Sequence, residues 1–197
     1  MPIKLVFLRH AEAEHNVAYH KANQDHMIFY SKDLKDSKLT DFGKNQAINV
    51  AMELAEKYPN IKDIWSSSLQ RCIQTANEIF EEINVDKYYI HDNLMERQTP
   101  GFFFNYRTEK TKLRELYGHI NMEYIPEIPA IWSIKENDHI LRSRMYMIIM
   151  LILDLYKGTD SVIMIVGHND AILNFTGKNL KNAEYFEMTE DEVRGLC

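Results

Sequence analysis

The sequence predicts an α/β fold: a three-layer αβα sandwich around a mostly parallel sheet. Two observations carry this. Short apolar runs alternate with amphipathic stretches along the chain, the pattern of strands and crossover helices. Two of those runs end on a histidine: Ile3-Lys4-Leu5-Val6-Phe7-Leu8 leads into Arg9-His10, and Val162-Ile163-Met164-Ile165-Val166 leads into Gly167-His168. Near-continuous apolar strands are buried on both faces, as in a parallel sheet. Chemistry in such a sheet sits beyond the carboxyl ends of the strands, so the two histidines and Arg9 are candidates for one cationic phosphate pocket.

The elements follow in order. Strand one is residues 3–8. Residues 11–38 are polar, hold His15, His20 and His26, and read as a long loop with one helix at most. Thr40 is placed to cap a helix to about Tyr58, with Ala47, Ala51, Leu54, Ala55 and Tyr58 on one face. Residues 61–65 form a second strand. Ser66-Ser67-Ser68 offers caps for a helix carrying Leu69, Cys72, Ile73, Ala76, Ile79 and Phe80. A third strand covers 88–91. Residues 92–137 are irregular, with Pro100, Gly101, Phe102-Phe103-Phe104, a short helix near 108–117, then Pro126 and Pro129. Asp138 is placed to cap a long helix to about Tyr156, apolar nearly all round and so expected to be buried. Residues 161–166 are the fourth strand and 184–188 a last edge strand. The whole reads as one domain over 1–197, with cap or insert segments at about 11–38 and 97–137; a long irregular excursion suits a lid or specificity element.

Composition narrows the function. The chain has 197 residues, is 45% hydrophobic and carries a net charge of −6. That supports a real core and argues against nonspecific nucleic-acid binding, which needs a basic face. It leaves room for a small cationic pocket on an acidic exterior. Two cysteines, Cys72 and Cys197, make no disulfide framework and favour a reducing compartment. The N-terminal run is interrupted by Lys4 and leads straight into Arg9-His10, unlike a signal peptide. The longest apolar stretch, residues 145–153, is too short to span a bilayer. The expectation is a cytoplasmic protein with no membrane and no nucleic-acid partner.

Five segments carry a family resemblance. Leu8-Arg9-His10-Ala11-Glu12-Ala13-Glu14-His15-Asn16 resembles the RHG motif of the histidine phosphatase superfamily, the phosphoglycerate mutase-like proteins. Leu39-Thr40-Asp41-Phe42-Gly43-Lys44-Asn45-Gln46-Ala47 resembles its LTxxGxxQA segment, and residues 67–76, Ser-Ser-Leu-Gln-Arg-Cys-Ile-Gln-Thr-Ala, its SxLxRxxQTA segment. Leu94-Met95-Glu96-Arg97 resembles the acidic-loop motif and Val166-Gly167-His168-Asn169 the second-histidine motif. Together they span about residues 3–175 in the family's order, and residues 177–188 resemble its closing strand.

The resemblance implies a phosphoglycerate mutase-like fold and a metal-independent phosphatase that needs no cofactor. His10 would be the nucleophile and form a phosphohistidine. Arg9, Asn16, Arg71 and His168 would bind the phosphoryl group, and catalysis would be mostly positioning and electrostatics. Glu96 would protonate the leaving oxygen and then activate water; Glu12 and Glu109 are other carboxylates within the region. His15, Arg97 and Arg107 are candidate substrate contacts. The partner would be a small phosphorylated substrate, with a phosphoprotein as an open alternative; oligomeric state is not legible. Ala11, Ala13 and Asn169 depart from the common pattern and resemble an RHAExxHN subgroup. The alternative is a phosphoglycerate mutase, which needs extra arginines to clamp a carboxylate; residues 98–137 offer only Arg107 and Arg114. A non-catalytic phosphate-binding module is a further alternative, and a metal site at His15, His20, His26 and Asp25 is another. Cys72, on the apolar face of its helix, reads as a packed core thiol.

Overall fold

A computed structural model of the chain describes residues 2–129 and 134–196. In chain order the elements are β1 (Lys4–Arg9), α1 (Glu14–Lys21), α2 (Asp41–Lys57), β2 (Ile61–Ser67), α3 (Gln70–Glu82), β3 (Lys87–His91), α4 (Lys110–Leu116), α5 (Asp138–Leu155), β4 (Val162–Gly167), α6 (Asn169–Thr176), β5 (Tyr185–Thr189) and α7 (Glu190–Arg194). The sheet order is β3-β2-β4-β1-β5. All pairings are parallel except β5, which runs antiparallel to β1 at the edge.

Strand alternation divides the core. Leu5 and Phe7 of β1 lie beside Ile163 and Ile165 of β4 and pack with α5 and α6. Val6 and Leu8 lie beside Met164 and Val166 and pack with α2 and α3. All eight side chains are fully buried. Each contributes about 1.5–3 kcal/mol. The chain leaves these two neighbouring strands for opposite faces of the sheet: β1 leads through α1 to α2 on one, and β4 leads to α6 on the other. That divergence opens a crevice at the strands' carboxyl ends.

Several local expectations are corrected. Thr40 caps α2 as expected, accepting from Gly43 N–H at 2.9 Å. The cap of α5 is Asn137, whose Oδ1 accepts from Ile140 N–H at 2.9 Å, and not Asp138. The serines before α3 do not cap it in the expected way. They are fully buried at the end of β2, Leu69 takes the cap position, and Asp36 accepts from Gln70 N–H at 2.9 Å. The long helix α5 is not buried all round: Tyr146, Met147, Leu151 and Leu155 stay exposed on its outer face. The segment 11–38 holds α1 and two 3-10 turns, His26–Tyr30 and Lys32–Leu34. In the 97–137 segment, residues 130–133 lie outside the described ones, as does Cys197.

Candidate active site

The backbone brings the two histidines together first. Arg9 pairs with Gly167 across β1 and β4, and His10 N–H donates to the Gly167 carbonyl at 3.0 Å. The His10 and His168 rings then meet edge to face with centroids 5.1 Å apart. His10 is 2% exposed and His168 is completely buried.

His10 Nδ1 lies 2.7 Å from the Ala11 carbonyl oxygen. A carbonyl only accepts, so Nδ1 carries the proton and Nε2 keeps its lone pair. Burial, then the charges of Arg71 and Arg9, push this imidazole well below its ordinary pKa. The ring is therefore neutral with its nucleophilic nitrogen free. His168 is lowered well below the usual range in the same way, by burial first and then by Arg71 and His10. Its Nε2 meets Ser67 Oγ at 2.8 Å and Cys72 Sγ at 3.3 Å. Burial raises the Cys72 thiol far above the usual range, so that sulfur is packing material and not a nucleophile.

Around His10 stand buried donors with nothing to bond. Arg71 is completely buried; its two terminal nitrogens donate to the Phe104 carbonyl (2.7 Å) and Asn105 Oδ1 (2.8 Å), while Nε has no partner. Arg9 donates one terminal nitrogen to the Leu180 carbonyl at 2.8 Å, and its Nε is also unpartnered. Asn16 Oδ1 accepts from Ala13 N–H at 2.9 Å, which turns its Nδ2 toward His15 Nε2 at 3.2 Å. His15 Nε2 is thus the acceptor, Nδ1 carries the proton, and that N–H is unpartnered too. Buried polar groups are nearly always paired. Unpartnered guanidinium and imidazole N–H groups beside one neutral histidine form a cradle suited to an anion.

Glu96 is half-buried at the N-terminus of α6. Its oxygens accept from the backbone N–H groups of Arg97 (2.8 Å), Ala171 (3.1 Å) and Asp170 (3.3 Å). Burial nevertheless raises its pKa, outweighing those bonds. A carboxyl group whose pKa is raised by burial suits a general acid. Glu12 accepts from the Thr40 hydroxyl at 2.8 Å, which commits it to the α2 cap, and Glu109 precedes α4.

These groups stand at a cleft of about 650 Å³. Arg9, His15, Asn16, Glu96, Arg97 and Asn182 line it, with aromatic rings of the 11–38 and 97–137 segments; His10, Arg71 and His168 are buried and do not form part of its lining. Arg97 reaches the cleft already paired, with Asp170 at 2.5 Å and Asp138 at 2.7 Å. Arg107 is a correction. Its guanidinium is buried against Asp92 and the carbonyls of Thr108 and Pro126, so it is a structural group and not a substrate contact. Among the described residues no group of three or more metal-binding side chains comes together, the His15, His20, His26 and Asp25 set included.

Sequence reasoning missed several residues that set this geometry. Ala11 N–H donates to Thr75 Oγ1 (3.1 Å), Glu12 N–H to Gln46 Oε1 (2.9 Å) and Leu39 N–H to Gln74 Oε1 (2.8 Å). Thr75 and Gln46 of the matched segments thus hold the backbone of the His10 loop, and Gln74 holds Leu39, which bridges to Ala13. Gly43 is required because a Cβ there would sit 1.9 Å from the Glu12 carbonyl oxygen. Asn182 donates to the His10 carbonyl at 3.0 Å. Asn169 Oδ1 accepts from Leu180 N–H at 2.8 Å, and Leu180 in turn holds Arg9. Arg144 of α5 grips the Glu96 loop; an arginine on the apolar stripe set by Leu141, Met145 and Ile148 was the available signal.

The histidine phosphatase superfamily (branch 1) profile matches residues 5–192. The chain belongs to that superfamily. No curated protein matches it in sequence. Solved structures share the histidine phosphatase fold at low identity. Ecdysone phosphate phosphatase from Bombix mori, bound to tungstate, aligns over 95% of this chain and 89% of its own at 16% identity, with a TM-score of 0.72. Mycobacterial glucosyl-3-phosphoglycerate phosphatase with inorganic phosphate aligns over 94% and 89% at 16% identity and a TM-score of 0.61. Phosphoserine phosphatase from Entamoeba histolytica, with 3-phosphoglyceric acid, aligns over 94% and 89% at 18% identity and a TM-score of 0.57. No helix among the described residues is long and apolar enough to cross a membrane.

Proposed function

We propose that the protein hydrolyses phosphomonoesters through a phosphohistidine on His10. The observation that carries this is the cradle of unpaired buried donors, on Arg9, Arg71 and His15, around a histidine whose Nε2 is neutral and free. Phosphoryl oxygens meet those donors and spread their charge over them. Nε2 attacks phosphorus in line, and Glu96 passes its proton to the departing alcohol oxygen. The resulting Glu96 carboxylate then takes a proton from water, which attacks the phosphohistidine and releases phosphate.

Hydrolysis is favoured over transfer to a second sugar-acid hydroxyl, because a mutase must also clamp a carboxylate. Arg97 is already neutralised by Asp170 and Asp138, and Arg107 is buried elsewhere. The phosphatases among the structural neighbours support the same class. The substrate on this reading is a phosphorylated small molecule met in the cytoplasm, and no metal or cofactor takes part. The test is p-nitrophenyl phosphate turnover in EDTA by wild type and His10→Ala, beside a 3-phosphoglycerate mutase assay. EDTA-resistant hydrolysis lost in His10→Ala is expected. Mutase activity without hydrolysis, or turnover that survives His10→Ala, overturns the reading.

A further inference from the structure

Resting on the phosphatase reading, we infer that the favoured substrates are phosphomonoesters of alcohols bearing an aromatic apolar body, held against a wall of Phe29, Phe102 and Phe104. The wall is built from both excursions. Phe29 comes from the 3-10 turn after α1, and Phe102 and Phe104 from the Phe102-Phe103-Phe104 run. Phe29 meets Phe104 at 4.5 Å and Phe102 at 5.3 Å between ring centroids, and Tyr19 stacks on Phe29 at 5.2 Å. All of these line the same cleft as Arg9, Asn16 and Glu96.

The wall begins at the phosphate cradle itself. Phe104 stacks on His15 at 4.6 Å and lies 5.4 Å from the Arg71 guanidinium, which also bonds its carbonyl. A phosphoryl group held by Arg71 therefore has aromatic carbon beside it. Two polar side chains beside the cradle are already engaged: Arg97 is paired with two aspartates and Glu96 is occupied by backbone N–H groups, while the cleft's other polar lining includes His20, His26, Thr99 and the exposed Lys135. A hydroxyl-rich or carboxylate-bearing leaving group would lose water to these rings without new hydrogen bonds. A flat apolar one gains burial and ring-on-ring contact.

The experiment separates binding from leaving-group reactivity. 3-Phenylpropyl phosphate and propyl phosphate release alkoxides of similar basicity, so their ratio of kcat/KM reports the body alone. Wild type should prefer the phenyl ester by about tenfold to a hundredfold, and Phe102→Ala should shrink that ratio at least threefold, by roughly one lost ring contact. Equal kcat/KM for the two esters, or preference for glycerol 3-phosphate over both, overturns the inference and leaves the phosphatase reading standing. If no ester turns over, the phosphatase reading fails and the wall is judged by calorimetry. 3-Phenylpropylphosphonate should then bind at least tenfold tighter than propylphosphonate; equal affinity overturns it.

Discussion

Replacing Arg144 by methionine isolates the device that aims Glu96. The Arg144 guanidinium donates to both Glu136 carboxylate oxygens (2.6 and 2.9 Å) and to the carbonyls of Asn93 (2.8 Å), Met95 (2.7 Å) and Glu96 (3.0 Å). Glu136 also accepts from Gln98 N–H at 3.0 Å, on the far side of the same loop. Arg144 and Glu136 are both buried. Removing one partner of a buried pair costs about 3–5 kcal/mol, because the other charge is left uncompensated. Arg144→Met should therefore lower stability by that amount, and adding Glu136→Gln should recover part of it. The kinetic effect has a signature that mere loss of stability lacks. An alkoxide needs the proton from Glu96, whereas p-nitrophenolate leaves without one. A carboxyl displaced by about 1 Å should lower kcat/KM for an alkyl phosphate roughly 100-fold and that for the p-nitrophenyl ester less than about tenfold, because kcat/KM reports transfer to His10 and not the later attack of water. Steady-state kinetics on both esters, at a temperature where circular dichroism shows the variant folded, reads the difference. Equal slowing of both esters, or none, would refute the positioning role.

Three further outcomes follow from the same geometry. The pH profile of kcat/KM should be a bell. His10 must be neutral and is lowered below 6.5, so activity falls as pH drops through its pKa; Glu96 must be protonated and is raised above 4.5, so activity falls as pH rises through its own. Glu96→Gln should flatten the basic limb, and a rate that climbs into alkaline pH would contradict the assignment. Stability should decline on acidification below about pH 6.5, because His10, His15 and His168 are lowered in the folded state and neutral when folded. Each histidine contributes up to about 1.4 kcal/mol per pH unit; Glu96 and Asp36, both raised, act with the opposite sign. The net slope should lie at roughly 1.4–4 kcal/mol per pH unit between about pH 6 and 5 in urea titrations, and a flat profile would contradict the buried neutral cluster. Gly43→Ala should cost about 3 kcal/mol and about 6–12 °C in Tm, since its Cβ meets backbone rather than a movable side chain; an unchanged Tm would contradict the close approach.

What the sequence made legible were features with a period or a fixed local spacing. β1 and β4 were visible as apolar runs, and α2 and α3 as stripes with a 3.6-residue repeat. His10 and His168 were readable because each directly ends such a run. α6 was missed because eight residues directly after β4 carry too little periodicity to separate from the strand. The exposed face of α5 was missed because composition alone cannot say which side of an apolar helix meets its neighbours. Arg107 and Arg144 show the limit most clearly. Both are arginines without a motif, and only tertiary contact decides that one braces Asp92 and the other the Glu96 loop. The roles of Gln46, Gln74 and Thr75 were hidden for the same reason: their bonds cross 34, 35 and 64 residues of sequence.

The central claim is a covalent phosphohistidine on His10, and the most direct measurement traps it. Glu96→Gln cannot activate water but still releases p-nitrophenolate, so the intermediate should accumulate. Quenching that variant in alkali after mixing with labelled p-nitrophenyl phosphate, followed by peptide mapping, should place an acid-labile, base-stable label on His10. Turnover of the substrate with no trapped label, or label on another residue, would contradict the account.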